Sequence, residues 1–158
     1  MKVALDSLLF TKNDRLLFAQ RAIFAAIMFP HGAQHALGWF GGYGFGGTYG
    51  WMTGTLGIPA PFAALAIVVE IVAPFFLLAG LGGRLAAAGL GAILAVAATT
   101  HAANGFFMNW VGANAGEGFE YHLLGVALAA SVVVRGSGAF SIDRVLAGRR
   151  PIIRRVEA

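Results

Sequence analysis

No cysteine occurs among the 158 residues. Disulfides, thiolate-ligated metal and thiol–disulfide exchange by this subunit are therefore excluded. Charge is also scarce: 11% of residues are Asp, Glu, Lys or Arg, against roughly 25% in soluble domains. With 58% hydrophobic residues and a mean hydropathy of +0.76, such a chain cannot cover a water-facing surface and needs lipid around it. Period-two alternation is missing as well, which argues against a membrane β-barrel and leaves helices as the spanning structure. Lys and Arg are absent from residues 38–59 and from residues 104–118.

What is present fits a single membrane domain over residues 1–158. Four apolar runs predict spans at about 16–37, 60–81, 85–103 and 119–134, an all-α, polytopic four-helix bundle. The first run is too long for a signal-peptide core and lacks a small-residue cleavage site. Pro59 and Pro61 open the second run, and Gly82, Gly83 and Arg84 close it. The fourth is short, and Arg135 at its end can snorkel to the interface.

The net charge of +4 does not indicate nucleic acid. The basic residues gather near the chain ends, at Lys2, Lys12, Arg15, Arg144, Arg149, Arg150, Arg154 and Arg155, without the interleaved aromatics of a single-strand binder. With Arg84 between the second and third runs, three basic segments alternate with two that lack Lys and Arg. The positive-inside rule then places both termini and the basic tail, 135–158, on the cytoplasmic side of the membrane.

Gly83, Ala87, Gly91, Ala95 and Thr99 form a ladder of small residues along the third run, suited to close helix packing. His31-Gly-Ala-Gln in the first run is echoed by His101-Ala-Ala-Asn in the third, a hint of two similar hairpins. Residues 42–47 satisfy G-x-G-x-x-G, but a spanning helix precedes them where a dinucleotide site needs a strand. Residues 39–51 instead read as an outer, aromatic-rich interfacial loop.

Ionisable groups inside spans are costly and point to function. Arg21, His31 and His35 fall in the first span and Glu70 in the second. His101 and Asn104 lie at the outer end of the third, and Glu117, Glu120 and His122 gather where the fourth begins. A rise of about 1.5 Å per residue puts Glu70 roughly 15 Å deep, near the midplane. Pro74 removes the amide that would have bonded the Glu70 carbonyl, and Pro30 does the same to Ala26. Arg21, Met28 and His35 share one helix face. The simplest structural reading is an Arg21–Glu70 ion pair that fixes the register of two helices. A metal on His31, His35 and His101, or haem between His31 and His101, are alternatives without a longer ligand motif to carry them.

Read together, these residues resemble the DoxX family of bacterial four-helix membrane proteins. The resemblance rests on Pro-His-Gly-Ala-Gln at 30–34, Phe-Gly-Gly at 40–42, Leu-Gly-Ile-Pro at 56–59 and Glu70. It continues through Gly-Arg-Leu-Ala-Ala at 83–87, His101 with Asn-Gly-Phe-Phe at 104–107, and Glu-Tyr-His-Leu-Leu at 120–124. Gly-x-Gly-x-x-Ser-x-Asp at 136–143 closes it. The resemblance implies association with membrane-bound redox assemblies. The expectation is a membrane subunit of such a system, without independent activity, touching lipid, partner subunits or further copies of itself. Arg21, His31, His35, Glu70, His101, Asn104 and Glu120 would line a polar intramembrane pocket for a quinone-like molecule, whose carbonyls need donors. The alternatives are a non-catalytic scaffold and a proton-coupled transporter of small solutes.

Overall fold

The structure, a computed structural model, describes residues 8–148. Its helices are α1 (Arg15–Leu37), α2 (Gly44–Gly54), α3 (Ala60–Ala79), α4 (Gly83–His101), α5 (Glu120–Arg135) and α6 (Ile142–Gly148). Lys2 and Arg149, Arg150, Arg154 and Arg155 of the basic tail lie outside the described residues.

Local chemistry sets the helix ends. Asp14 caps α1, its side chain accepting the Leu17 amide at 3.1 Å. Gly38, at φ +73°, ends that helix in the left-handed conformation glycine adopts without strain. Pro59 and Pro61 open α3, where a missing amide costs nothing. The cap of α4 comes from 60 residues away: Asp143 accepts the amides of Gly82 at 2.7 Å and Gly83 at 3.1 Å. Asp143 also accepts the Ser137 hydroxyl at 2.6 Å, so the turn after α5 is bound to the start of α4.

Among the described residues three helices are long and apolar enough to cross a membrane: Arg15–Leu37, Ala60–Ala79 and Gly83–Asn104, the last including a terminal 3-10 turn. The fourth member of the bundle, α5, has 16 residues, about 24 Å of helix, and so falls short of a 30 Å hydrocarbon core. Exposed Leu16, Ile23, Phe62, Leu65, Phe75, Leu78, Leu85 and Val96 form an apolar exterior, the surface a lipid-embedded bundle presents.

The bundle is two packed pairs, α1 with α3 and α4 with α5, joined through a core that includes Leu17, Phe24, Met28, Leu77, Leu90, Leu94 and Val132. Small residues set the closest approaches. A methyl group on Gly32 would collide with the Glu70 backbone carbonyl, the one Pro74 leaves without its helical amide, so α1 meets α3 here with no side chain between. On α4, Gly83 faces Ser137, Gly91 faces Ala129, and Ala87 is fully buried. Ala95 and Thr99 are exposed. The small-residue ladder is thus packing for its first half only; an i,i+4 row drifts round the helix, and further along α4 meets α5 through Leu94 against Gly125 and His101 against His122.

Residues 39–51 depart from the expected loop. After a 3-10 turn at Trp39–Gly41, α2 forms despite Gly44, Gly46, Gly47, Gly50 and Gly54. Each glycine costs a helix roughly 1 kcal/mol, so tertiary contact must supply the difference. Met52, 7% exposed, packs with Ala63 and Ile67 of α3, supported by Ala36 and Tyr49.

Candidate functional site

Arg21 and Glu70 do not meet. The Arg21 side chain is fully buried, and its guanidinium spends all its donors on backbone carbonyls. Nη1 donates to Leu77 and to Leu78 (2.6 Å to the latter), Nε to Ser137 at 2.6 Å, and Nη2 to Ala139 at 3.1 Å and Phe140 at 2.8 Å. Two of these carbonyls, Leu77 and Leu78, lie in the last turn of α3, where a cation is favoured by the helix dipole; that of Leu77 also accepts the Gly80 amide at 3.0 Å. Glu70 lies level with Gly32, 11 residues beyond Arg21, about 16 Å along the helix axis. No arginine side chain spans that distance. The expected ion pair is therefore replaced by two separate sites at opposite ends of the bundle.

Arg84 repeats the arrangement in the second helix pair. Its Nη1 donates to Val133 and to Val134 at the end of α5 (2.7 Å to the latter), and Nη2 donates to Phe10 at 3.1 Å. An arginine near the start of α1 thus holds the end of α3, and one at the start of α4 holds the end of α5. The other end carries a matching pair of contacts. Gln34 donates to the Phe40 carbonyl at 3.2 Å, and Asn104, in the equivalent place three residues after His101, donates to the Glu117 carbonyl at 2.9 Å. The echo between residues 31–34 and 101–104 has a structural counterpart.

The partner of Glu70 is His35. His35 Nδ1 lies 2.5 Å from Glu70 Oε2, with the Glu70 side chain 6% exposed and that of His35 32%. The pair forms where Gly32 lets the two backbones approach, because His35 is three residues further along the same helix. It lies on the wall of a cavity of about 540 Å³ bounded by α1, α3, α4 and α5. His31 and His101 also line this cavity, as do Glu117, Tyr121 and His122. The rings of His101 and His122 stack with centroids 4.7 Å apart, and that of His31 lies 6.3 Å from Tyr121. Most of the remaining wall is apolar, including Met28, Met52, Leu65, Val69, Ile93 and Val96. Among the described residues, none of those lining the cavity is lysine or arginine.

Of the seven residues expected to line a pocket, His31, His35, Glu70 and His101 come together and three do not. Arg21 belongs to the opposite end. Asn104 ties the 104–118 segment to α4 through the Glu117 carbonyl, which His101 Nδ1 also reaches at 3.0 Å. Glu120 stands in the first turn of α5, where a carboxylate suits the helix dipole, and is absent from the cavity wall. Tyr121 and His122 take its place. The Glu-Tyr-His sequence carried that signal, since in the first turn of a helix three successive side chains point about 100° apart and only some can face inward. Trp51 and Met52 of α2 join the wall too, which follows from the segment being a helix. Among the described residues, no group of three or more His, Cys, Asp or Glu is placed to hold a metal ion.

No curated protein and no solved structure matches the chain. A family model described as DoxX matches residues 16–103, more than half of the chain. The match takes in α1 to α4 but for Arg15, and with them the Gly32 crossing, the His35–Glu70 pair, His31 and His101. An all-helical bundle with three helices able to cross a membrane, matched over these elements, makes this chain a membrane protein of the DoxX family.

Proposed function

We propose that this protein is a membrane subunit of a redox assembly and that its cavity binds the head group of a quinone. The observation that carries the reading is the His35–Glu70 pair, 2.5 Å apart, on the wall of an otherwise largely apolar cavity. Ligand sites are typically apolar concavities of roughly 300–1,000 Å³ with a few convergent polar groups, and this cavity is about 540 Å³. A quinone presents carbonyls that accept hydrogen bonds; its reduced form presents hydroxyls that donate them. An imidazole hydrogen-bonded to a carboxylate serves both, because the proton it shares can sit on either partner. The electrons would come from a partner subunit, in keeping with the redox assemblies the family resemblance implies.

The orientation belongs to the same proposal. With Lys and Arg excluded from residues 38–59 and 104–118, and with the short α5 completing a fourth crossing as Arg135 snorkels to the interface, both termini are cytoplasmic and the cavity occupies the outer half of a bacterial plasma membrane. Reporter fusions after Ala158 report the cytoplasm, and labelling at Gly46 or Ala115 proceeds from outside.

The binding test is a thermal-unfolding titration in detergent with a water-soluble benzoquinone. Ligand at about 100 times its Kd adds about 2.7 kcal/mol to the folded state. That gain is expected in the wild type and absent from Glu70→Gln. A wild-type protein that no benzoquinone or naphthoquinone stabilises overturns the proposal.

A further inference from the structure

The cavity reaches the surface of the bundle between α3 and α4. These helices are joined by the short turn at residues 80–82 and are in contact at Gly89, where a methyl group would lie 3.0 Å from Val69 Cγ1. Leu65 and Ala66 on one side, and Ala92 and Val96 on the other, line the cavity. Yet Leu65 is 56% and Val96 53% exposed. A residue that is at once cavity wall and exposed surface is the rim of an opening.

That opening faces hydrocarbon. Both helices are among the three able to cross a membrane, with hydropathies of 2.5 and 1.6. At the histidine end Met52 of α2 and Met108 of the 104–118 segment cover the cavity in part, with exposed Trp51, Thr100 and Glu117 beside them on its wall. Ala66 stands one helical turn from Glu70, so the opening lies within about 6 Å, along the axis, of the His35–Glu70 pair.

Resting on the quinone reading above, we infer that the α3–α4 seam is a lateral portal. Through it a prenyl-tailed quinone brings its head group from the bilayer to His35 and Glu70, and its tail stays in the seam between Ala66 and Ala92. The substrate class is therefore a membrane-resident, tailed quinone rather than a water-soluble one. An apolar seam flanked by acyl chains accepts an isoprenoid tail without the desolvation cost that a charged or polar solute would meet there.

The test uses the absence of native cysteine. Ala92→Cys places a thiol on an exposed seam position, and Val68→Cys places one on a face of α3 that is 49% exposed and outside the cavity wall. Each variant, in lipid nanodiscs, is titrated with a tail-less benzoquinone and with its counterpart bearing several isoprene units. The titrations are made before and after labelling with a bulky benzyl methanethiosulfonate, and again after reductant. Unlabelled protein should bind the tailed quinone about tenfold or more tighter than the tail-less one, because the tail adds buried apolar area. Labelling Cys-substituted position 92 should bring that ratio close to unity, reductant should restore it, and labelling position 68 should change nothing. A label at position 92 that leaves the ratio intact, a label at position 68 that acts equally, or a tail that confers no advantage overturns the portal while leaving head-group binding standing. If neither quinone binds unlabelled protein, the quinone reading fails and the portal falls with it.

Discussion

The two ends of this bundle handle a buried ionisable group in opposite ways. Around Arg21 the donors are used up: a fully buried guanidinium meets five backbone carbonyls, and the neighbouring turn is bound again through Asp143 to the start of α4. Around Glu70 the carboxylate has, among the described residues, a single side-chain partner, His35, and beyond that pair lies open, mostly apolar space. A saturated polar network fixes one arrangement of helices. A sparsely partnered pair beside a cavity keeps bonding capacity for something that enters. Both groups are costly to bury, and the difference in how they are satisfied separates a structural site from a candidate binding site.

Substitutions can break this contrast, and the largest effect is expected at the closed end. Arg21→Gln takes the guanidinium away from five carbonyls, of which that of Leu77 keeps the Gly80 amide, and should cost on the order of 3–5 kcal/mol of stability. Chemical unfolding in detergent reads this, and a loss within measurement error of zero would deny Arg21 its role as a clasp. Gly32→Val comes next. Its side chain would overlap the Glu70 backbone, and overpacking of this kind costs about 1–3 kcal/mol. Because α1 must also move away from α3, the variant should lose quinone stabilisation, whereas a variant that binds normally would show that the crossing does not position His35.

Asp143→Ala removes the cap of α4 and the acceptor for Ser137, worth about 1–2 kcal/mol by the usual scale of capping losses. Hydrogen exchange should show the first turn of α4 opening before the rest, and uniform protection would contradict it. The smallest effect is the coupling between the two ends. Sites more than about 10 Å apart add to within roughly 0.5 kcal/mol, so Arg21→Gln combined with Glu70→Gln should equal the sum of the single losses. A double variant markedly more stable than that sum would restore the direct Arg21–Glu70 pair that the separation argues against.

Much of the architecture was legible along the chain. Hydropathy and the proline and glycine positions identify the long helices, since burial in lipid and backbone hydrogen bonding are local demands written into each segment. His31, His35, Glu70 and His101 stand out because an ionisable group in an apolar run has few bland explanations. The interfacial loop did not survive as a loop, because residues 44–54 are too rich in glycine to read as a helix by propensity and are held helical by contacts through Met52 and Tyr49. Asn104 and Glu120 were drawn into the pocket by proximity in sequence, whereas their side chains serve the 104–118 turn and the start of α5.

By itself the sequence determined that this chain spans a membrane as helices, which residues would be expensive there, and the family to which it belongs. Which expensive residue meets which was decided only by tertiary structure. Pairing between helices depends on their axial register, and one helix slides past another by 1.5 Å per residue without changing any pattern of hydropathy. Here the register is set where Gly32 admits the Glu70 carbonyl, a contact between backbones that no side-chain pattern announces. That contact places His35, and not Arg21, beside the carboxylate.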